Sequence, residues 1–384
     1  MLIYTFGIEE EFFVVSPATR NAVSRVPKAL LESAQARLGA ERVGQEMLQS
    51  QIETISPVFE DMDEARVEMT RLRHGLIAAA AEHDLNVFAA GTHPLSAWHS
   101  QSPTEKPRYA RLMDDFQIVG RRNLLCGMHV HVGVRDDVDR VALMNRLMRW
   151  LPLFLALSTS SPFWNRDRTG LLSYRQAAYD EWPRTGIPDF FESQQDYDAF
   201  VDLLVTTGSI DGAGSLWWAI RPSAQYPTLE LRIADCCTDL DDALAIAALF
   251  RCIVRAHVRR PTLGRTHTEM SRRVIDENRW RAKRYGIDAE FIDEHRRAAF
   301  PFRGVLSELR TLVAEDAKAL GCERELAHLD VILRRGTSAH RQLARYRARS
   351  DAGATRLEAL REVVDWLIEA TVPHAGAARR GGRH

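Results

Sequence analysis

Strand-forming and helix-forming stretches alternate through the first two thirds of the chain and give way to helical patterning at its end. Leu2–Val15 (LIYTFGIEEEFFVV) is rich in β-branched and aromatic residues and predicts a strand, halted by Ser16-Pro17 and Asn21. Gln49–Val58 predicts a second strand, stopped by Pro57. Asp61–His83 carries acidic residues in its first turn and Ala, Leu and Ile along one face, the pattern of an amphipathic helix. A short strand over Asn86–Gly91 and a polar, proline-bearing loop over His93–Arg108 come next. They are followed by a strand over Leu124–Val134 and a helix over Val138–Leu157. Ser158–Pro188 mixes Ser, Arg, Trp and Pro too irregularly for either element and reads as a long loop, of a kind that is either functional or disordered.

Beyond it, Tyr197–Thr206 predicts a helix, and Trp217–Arg221 and Thr228–Ala234 predict strands joined around Pro222 and Pro227. Leu240–Arg259 predicts a helix with Asp239, Asp241 and Asp242 at its N-terminal end. From about Ala289 the pattern is helical, through Val305–Leu320, Glu323–Arg335, Ser338–Arg347 and Thr355–Ala370, up to a Gly/Arg-rich stretch at Pro373–His384. No repeat period or linker interrupts this order. The expectation is one α+β domain over residues 1–372, helical from about 289, with a flexible tail over 373–384.

Composition removes several function classes. With 384 residues, 45% hydrophobic and 27% charged, and a net charge of −1, the chain can bury a substantial core. It gives no electrostatic case for nucleic acid or a membrane surface. Lysine occurs at Lys28, Lys106, Lys283 and Lys318 and nowhere else, and no G-x-x-x-x-G-K-[ST] is present. Any nucleotide is therefore held without a P-loop. The cysteines (Cys126, Cys236, Cys237, Cys252 and Cys322) are odd in number and match neither a disulfide framework nor a zinc module. They read as reduced, mostly buried thiols of a cytoplasmic protein. Met1–Gly7 has no basic n-region, so no signal peptide is expected, and apolar helical runs such as Ala243–Ala248 are too short to span a bilayer.

Three strand windows carry candidate chemistry. In Gly7-Ile8-Glu9-Glu10-Glu11-Phe12-Phe13, Glu9 and Glu11 share one strand face while Ile8 and Phe12 share the other. Two carboxylates about 7 Å apart on one face repel unless a cation or protons intervene. Hard oxygen ligands on a rigid strand suit Mg²⁺ or Mn²⁺ better than zinc; the plain alternative is a solvated acidic edge. In Cys126-Gly127-Met128-His129-Val130-His131-Val132-Gly133-Val134, His129 and His131 fall in register on an otherwise apolar strand. In Thr228-Leu229-Glu230-Leu231-Arg232-Ile233-Ala234-Asp235, Glu230 and Arg232 share a face. They form either an in-plane ion pair or a metal ligand beside a phosphate- or carboxylate-binding fork. Glu46 and Glu53 add two carboxylates near the second strand.

Taken together, these windows resemble the glutamine synthetase/glutamate–cysteine ligase superfamily. G-x-E-x-E-F-F is similar to its first catalytic strand, G-M-H-V-H to its histidine strand and L-E-L-R to its E-V-R strand. Gly91-Thr92-His93-Pro94, Ser161-Pro162-Phe163-Trp164, Ile220-Arg221-Pro222-Ser223 and Glu277-Asn278-Arg279-Trp280-Arg281-Ala282 narrow the likeness to the stand-alone bacterial glutamate–cysteine ligase type 2, or YbdK-type, carboxylate–amine ligases, from about Thr5 to Ile368. The resemblance implies a largely antiparallel, curved sheet with helices packed on one side. It also implies ATP with Mg²⁺ (or Mn²⁺), and an acyl phosphate made from a carboxylate and consumed by an amine. Glutamate and cysteine are the default pair, and stand-alone members admit another physiological amine. Carried over residue by residue, Glu9, Glu11, Glu46, Glu53, His129 and Glu230 are the metal ligands, His131 reaches a nucleotide phosphate, and Arg232 stabilises the transferring phosphoryl group. Arg175, Arg221 and Arg281 are the candidates for substrate carboxylate or phosphate contacts. A neutral His129 is needed to bind metal, so activity is expected to fall below about pH 6.

Two other classes compete. A zinc or manganese amidohydrolase built on His129 and His131 needs further His and Asp ligands, which the later strand ends do not supply in a convincing context. A non-catalytic binding protein on the same fold has little reason to keep a costly charged cluster. The expected partners are small-molecule amino acids and amines, with a homodimer as the expected assembly.

Overall fold

The computed structural model describes residues 4–100, 104, 107–265 and 267–374. Its centre is a sheet of seven strands: β1 (Phe6–Val15), β2 (Val43–Gln45), β3 (Gln51–Ile55), β4 (Asn86–Phe88), β5 (Met128–Gly133), β6 (Ile220–Pro222) and β7 (Thr228–Leu231). The order across the sheet is β2-β3-β1-β5-β7-β6, with β4 pairing the far end of β1 through Phe13, Val14 and Val15. Every pairing is antiparallel. Neighbours in the sheet are therefore mostly distant in sequence, and the sheet gathers short motifs from residue 6 to residue 231.

One face of this sheet is apolar. Ile8, Phe12, Ile52, Val130, Leu229 and Leu231 are buried there, and the Leu240–Arg259 helix packs against β5. Alanine and leucine at nearly every position from Ala243 to Leu249 let that helix be buried all round. Asp239 caps its N-terminus by accepting the Asp241 N–H at 2.9 Å, and Asp241 and Asp242 lie in its first turn. The Met62–Ala81, Phe302–Leu320 and Glu323–Arg335 helices pack on it in turn. The predicted α+β arrangement, helices against one side of an antiparallel sheet, is the arrangement found.

Several expectations need correcting. The helix read over Val138–Leu157 is broken into Arg140–Leu147 and Leu151–Ser158, with a 3-10 turn at Met148–Trp150. Pro152, which lacks an N–H, sits in the first turn of the second piece. The region after Ala289 is not wholly helical, because Glu290–Asp293 and Ala298–Pro301 form a hairpin before the Phe302–Leu320 helix. Ser158–Pro188 is not a structureless loop. It contains a small hairpin (Phe163–Trp164 with Asp167–Arg168) and a helix at Tyr174–Tyr179. Its start is packed inside, with Thr159, Ser160 and Ser161 all fully buried. Helices at Lys28–Leu38 and Glu269–Tyr285 also stand where the pattern gave no assignment. Part of the loop read over His93–Arg108 (101–103, 105 and 106) and the tail from 375 lie outside the described residues. All five cysteines are free and buried, and no described helix is long and apolar enough to cross a membrane.

Candidate active site

Strand register assembles the polar face. Glu53 stands opposite Glu11, Glu9 opposite His129, and His131 opposite Glu230, which stands opposite Arg221. Residues paired across antiparallel strands project to the same side, so residues of five strands, up to 221 positions apart (Glu9 to Glu230), line one row across the sheet. Together with Glu46, Arg175 and Arg232 they wall a cavity of about 390 Å³. Glycine permits one close approach at this wall: a Cβ on Gly127 would collide with the Arg175 guanidinium.

The row has two electrically different ends. At one, Glu230 is held by Arg221, whose Nε and Nη2 donate to its two oxygens at 2.7 and 3.2 Å. Arg221 Nη1 donates to the carbonyls of Gly214 and Leu216 at 2.9 and 2.7 Å. Arg232 also donates to Glu230. Burial works against the Glu230 carboxylate, but the charges of Arg232 and Arg221 outweigh it and hold its pKa well below the usual range. Burial likewise opposes charge on Arg232, and Glu230 reverses the balance and raises its pKa. His131 Nδ1 lies 2.9 Å from Thr228 Oγ1, which leaves Nε2 facing Glu9 at 3.4 Å.

At the other end carboxylates outnumber their partners. Burial, and then the neighbouring charge of Glu46, pushes Glu11 up to about 8 even though its Oε2 accepts the Gly127 N–H at 2.6 Å. Glu53 is raised well above its ordinary value by burial and by Glu46, Glu9 and Glu11. Over the whole described wall, five carboxylates (Glu9, Glu11, Glu46, Glu53, Glu230) face three guanidinium groups (Arg175, Arg221, Arg232). Full ionisation leaves a formal excess of two negative charges, and like charges at this depth persist only with protons or a cation.

The residues present fit a divalent cation. Ligand atoms of Glu9, His129 and Glu230 lie within 4.8 Å of one another, as do those of Glu11, Glu53 and His129. Oxygen-dominated sets with one imidazole suit a hard cation. His129 belongs to both sets: Nδ1 lies 3.0 Å from Glu9 Oε2, and Nε2 lies 3.9 Å from Glu11 Oε1. Burial, and then the charge of Arg232, lowers its pKa to about 4. The imidazole therefore stays neutral well below pH 6, and the acid limit expected from the sequence moves down accordingly.

Every residue singled out from the sequence lines this cavity except Arg281. Arg281 lies on the Glu269–Tyr285 helix, donating to Glu277 at 3.0 Å and to the Glu290 carbonyl at 3.2 Å. That expectation is corrected: Arg281 stands outside the cavity wall, with Nε and Nη1 engaged at a local helix–hairpin junction. Arg175 is buried, donates to the Ala234 carbonyl at 3.1 Å and stands over the Tyr179 ring. Its helix is held by Asp235, whose carboxylate accepts from Ser160 N–H, Ser161 Oγ and Ser173 Oγ at 3.0, 2.7 and 2.8 Å. The sequence reading missed Asp235 as an anchor and Met47, Tyr179, Trp182 and Trp217 as cavity wall. The Trp- and Arg-rich composition of Ser158–Pro188 was the available signal for two of them.

The model of the glutamate–cysteine ligase family 2 (GCS2) matches residues 5–365. A protein of Bradyrhizobium diazoefficiens provisionally named glutamate–cysteine ligase 2 is 45% identical over 344 residues, 90% of this chain and 80% of that one. One of the same provisional name from Ectopseudomonas mendocina is 45% identical over 370 residues, 96% and 97% of the two chains. Among solved structures, a Francisella tularensis glutamate–cysteine ligase in complex with AMP superposes with a TM-score of 0.69 at 13% identity, over 98% of this chain and 91% of that one. A bifunctional glutathione synthetase from Pasteurella multocida gives 0.70 at 15% identity over 96% of this chain, which spans about half (52%) of that protein. At such identities the superpositions show the shared fold, whereas the family match and the 45% identities go further: this chain belongs to glutamate–cysteine ligase family 2.

Proposed function

We propose that the chain is an ATP-dependent carboxylate–amine ligase of the glutamate–cysteine ligase type, converting L-glutamate, L-cysteine and ATP to γ-glutamylcysteine, ADP and phosphate. The observation that carries this reading is the register-aligned row from Glu53 to Arg221, with a guanidinium-rich end beside a carboxylate-rich end in one cavity.

A carboxylate oxygen is a poor leaving group, so the γ-carboxylate of the donor must first attack the γ-phosphorus of ATP, releasing ADP. The amine nitrogen then attacks the acyl carbon, the C–O bond to phosphate breaks, and the nitrogen loses a proton. Positioning and charge neutralisation dominate the first step. Glu9, His129 and Glu230 would hold one divalent cation, and Glu11, Glu53 and Glu46 a second, with His129 lending its free nitrogen to one set at a time. Magnesium in these places would neutralise phosphate charge, the task a P-loop lysine performs elsewhere. Arg232 is aimed at the same region from the sheet, and its buried Nε has no hydrogen-bond partner among the described residues, which leaves a donor for a phosphoryl oxygen. Arg221 fixes Glu230 in place through two parallel hydrogen bonds. Arg175, with its buried Nε likewise unpartnered among the described residues, is the group for a substrate carboxylate.

Phosphate release from ATP–Mg²⁺ across a panel of amino acids, alone and paired with amines, tests the reading, with Glu11→Gln and Arg232→Ala compared with wild type. Release that requires both a carboxylate and an amine, and is lost in both variants, supports a ligase. No ATP turnover with any pair, alongside metal-dependent amide cleavage, replaces it with a hydrolase.

A further inference from the structure

Beside the carboxylate-rich end, the cavity wall changes chemistry within one residue. Glu46 belongs to the charged row, and Met47 belongs to a separate apolar cluster with Trp182 and Trp217. The two indoles meet edge to face, with centroids 5.4 Å apart at 83°. Phe116 packs behind both, at 4.9 and 5.9 Å. Leu112 and Tyr179 complete the wall and also line the cavity. Tyr179 is at once a member of this cluster and a side-chain hydrogen-bond partner of Arg232. The wall therefore runs from the guanidinium assigned above to the phosphoryl group to the carboxylates at the far end.

Such a wall is poorly matched to the small, polar side chain of cysteine. A thiol on one methylene covers little of a wall made by two largely buried indoles and a half-buried leucine, and an aromatic lining in a cavity gains most from an apolar body of similar size. A further observation points to an N–H donor. Asn123 lines the same cavity, next to Arg122, which pairs at 2.9 Å with Glu181 beside Trp182. Its side-chain oxygen is buried with no hydrogen-bond partner among the described residues, an acceptor set where an amine would lie.

Resting on the ligase reading, we propose that the preferred acceptor is a primary amine with an aromatic or bulky aliphatic body, seated on the Met47–Trp182–Trp217 wall, and that cysteine is a poorer acceptor than such an amine. The reaction is the one above with the acceptor changed: the amine nitrogen bonds to the acyl carbon, phosphate leaves, and one proton is released.

The test uses the full chain with glutamate, ATP–Mg²⁺ and ethylamine, butylamine, phenethylamine, tryptamine or cysteine, reading amide by mass spectrometry and ADP by a coupled assay. Burial of each methylene is worth about fourfold, so kcat/KM is expected to rise at least about tenfold from ethylamine to phenethylamine and to exceed that for cysteine. Trp217→Ala, and the milder Leu112→Ala at a half-buried position, should flatten this rise by raising the KM for the large amines. A flat series, or cysteine ahead of the arylalkylamines, overturns the proposal while leaving the ligase reading intact. A change in the KM for ATP in place of that for the amine also overturns it, because the wall then holds the nucleobase. No ADP formation with any amine counts against the ligase reading itself.

Discussion

Glu10 lies between two candidate metal ligands yet points to the opposite face, and its replacement by glutamine should cost stability in a way that replacing either neighbour does not. Glu10 and Arg73 are both fully buried and meet through two hydrogen bonds of 2.5 and 3.0 Å. The remaining Arg73 donors reach the carbonyls of Thr238, Cys237 and Thr371 at 2.7, 2.8 and 3.3 Å. One side chain thus joins β1, the start of the Leu240–Arg259 helix and the end of the Arg356–Thr371 helix. In Glu10→Gln the shape is kept, but the guanidinium loses its counter-charge in a dry interior and cannot deprotonate to escape. Breaking a buried pair from one side costs about 3–5 kcal/mol, a large fraction of the roughly 5–15 kcal/mol that holds a typical domain folded. Urea unfolding of the metal-free protein followed by tryptophan fluorescence measures this directly. The double variant Glu10→Gln/Arg73→Met removes the stranded charge but leaves the carbonyls of Thr238, Cys237 and Thr371 without their donor, so it should recover only part of the loss. A loss below about 1 kcal/mol in Glu10→Gln would refute the assignment of this pair as a structural tie. Glu11→Gln, one residue away, removes a carboxylate that burial disfavours, so it should unfold at no lower urea concentration while abolishing ATP turnover.

Glu11 titrates near 8 in the metal-free site against an ordinary value of 4.5, so it is mostly protonated at pH 7. Its raised folded pKa contributes stability that is present below about pH 4.5 and lost as pH rises through 8. Adding Mg²⁺ or Mn²⁺ in weak buffer at pH 7 should release protons and restore stability above pH 7, and an unchanged pH on metal addition contradicts a cation at Glu11. Arg232→Ala should lower kcat by about 100- to 1000-fold, the usual loss on removing one preorganised charge-stabilising donor, and a deficit confined to the KM for ATP would assign Arg232 to ground-state binding. Arg221→Ala frees Glu230 to rotate and should weaken Mn²⁺ affinity by about 10- to 100-fold in a metal titration; unchanged affinity would remove Glu230 from the ligand set. With His129 titrating near 4, kcat/KM should show no step near pH 6.5 attributable to it, and a step that disappears in a His129 variant would contradict that placement.

Much of the fold and nearly all of the carboxylate and histidine row were legible because both depend on local rules. Period-two alternation put Glu9 and Glu11 on one face, His129 and His131 on another, and Glu230 with Arg232 on a third. Antiparallel pairing then aligned those three faces without moving any side chain. What could not be read was which residue stands opposite which. The Glu11–Glu53 and Arg221–Glu230 pairings are set by sheet register, and register follows from the burial of the whole back face. Glu10 illustrates the same limit, because alternation assigns it to the apolar face while its partner Arg73 is brought there by a helix 63 residues away. The long segment Ser158–Pro188 looked irregular because its order comes from distant anchors such as Asp235 and Gln342, whose Nε2 donates to the Ser160 carbonyl at 2.8 Å.

Arg281 and Arg221 sharpen the point about charged side chains. Both carried the same expectation, and sequence context could not separate them, since neither the end of the Trp217–Arg221 strand nor the Arg279-Trp280-Arg281-Ala282 run shows which acceptors its arginine will meet. Packing separates them. The Arg221 guanidinium is drawn toward the cavity by Glu230, its cross-strand neighbour, and pinned there by two carbonyls. Arg281 stands one helical turn from Glu277 and close to the Glu290 carbonyl, and these satisfy it where it stands. An arginine goes where unpaired acceptors are densest, and in this fold the densest set is the row of carboxylates that register alone creates. The site therefore follows from the sheet: once Glu53, Glu11, Glu9 and Glu230 share a face, the chain must bring guanidinium groups, protons or cations to them, and the three arginines of the cavity wall meet that demand in part.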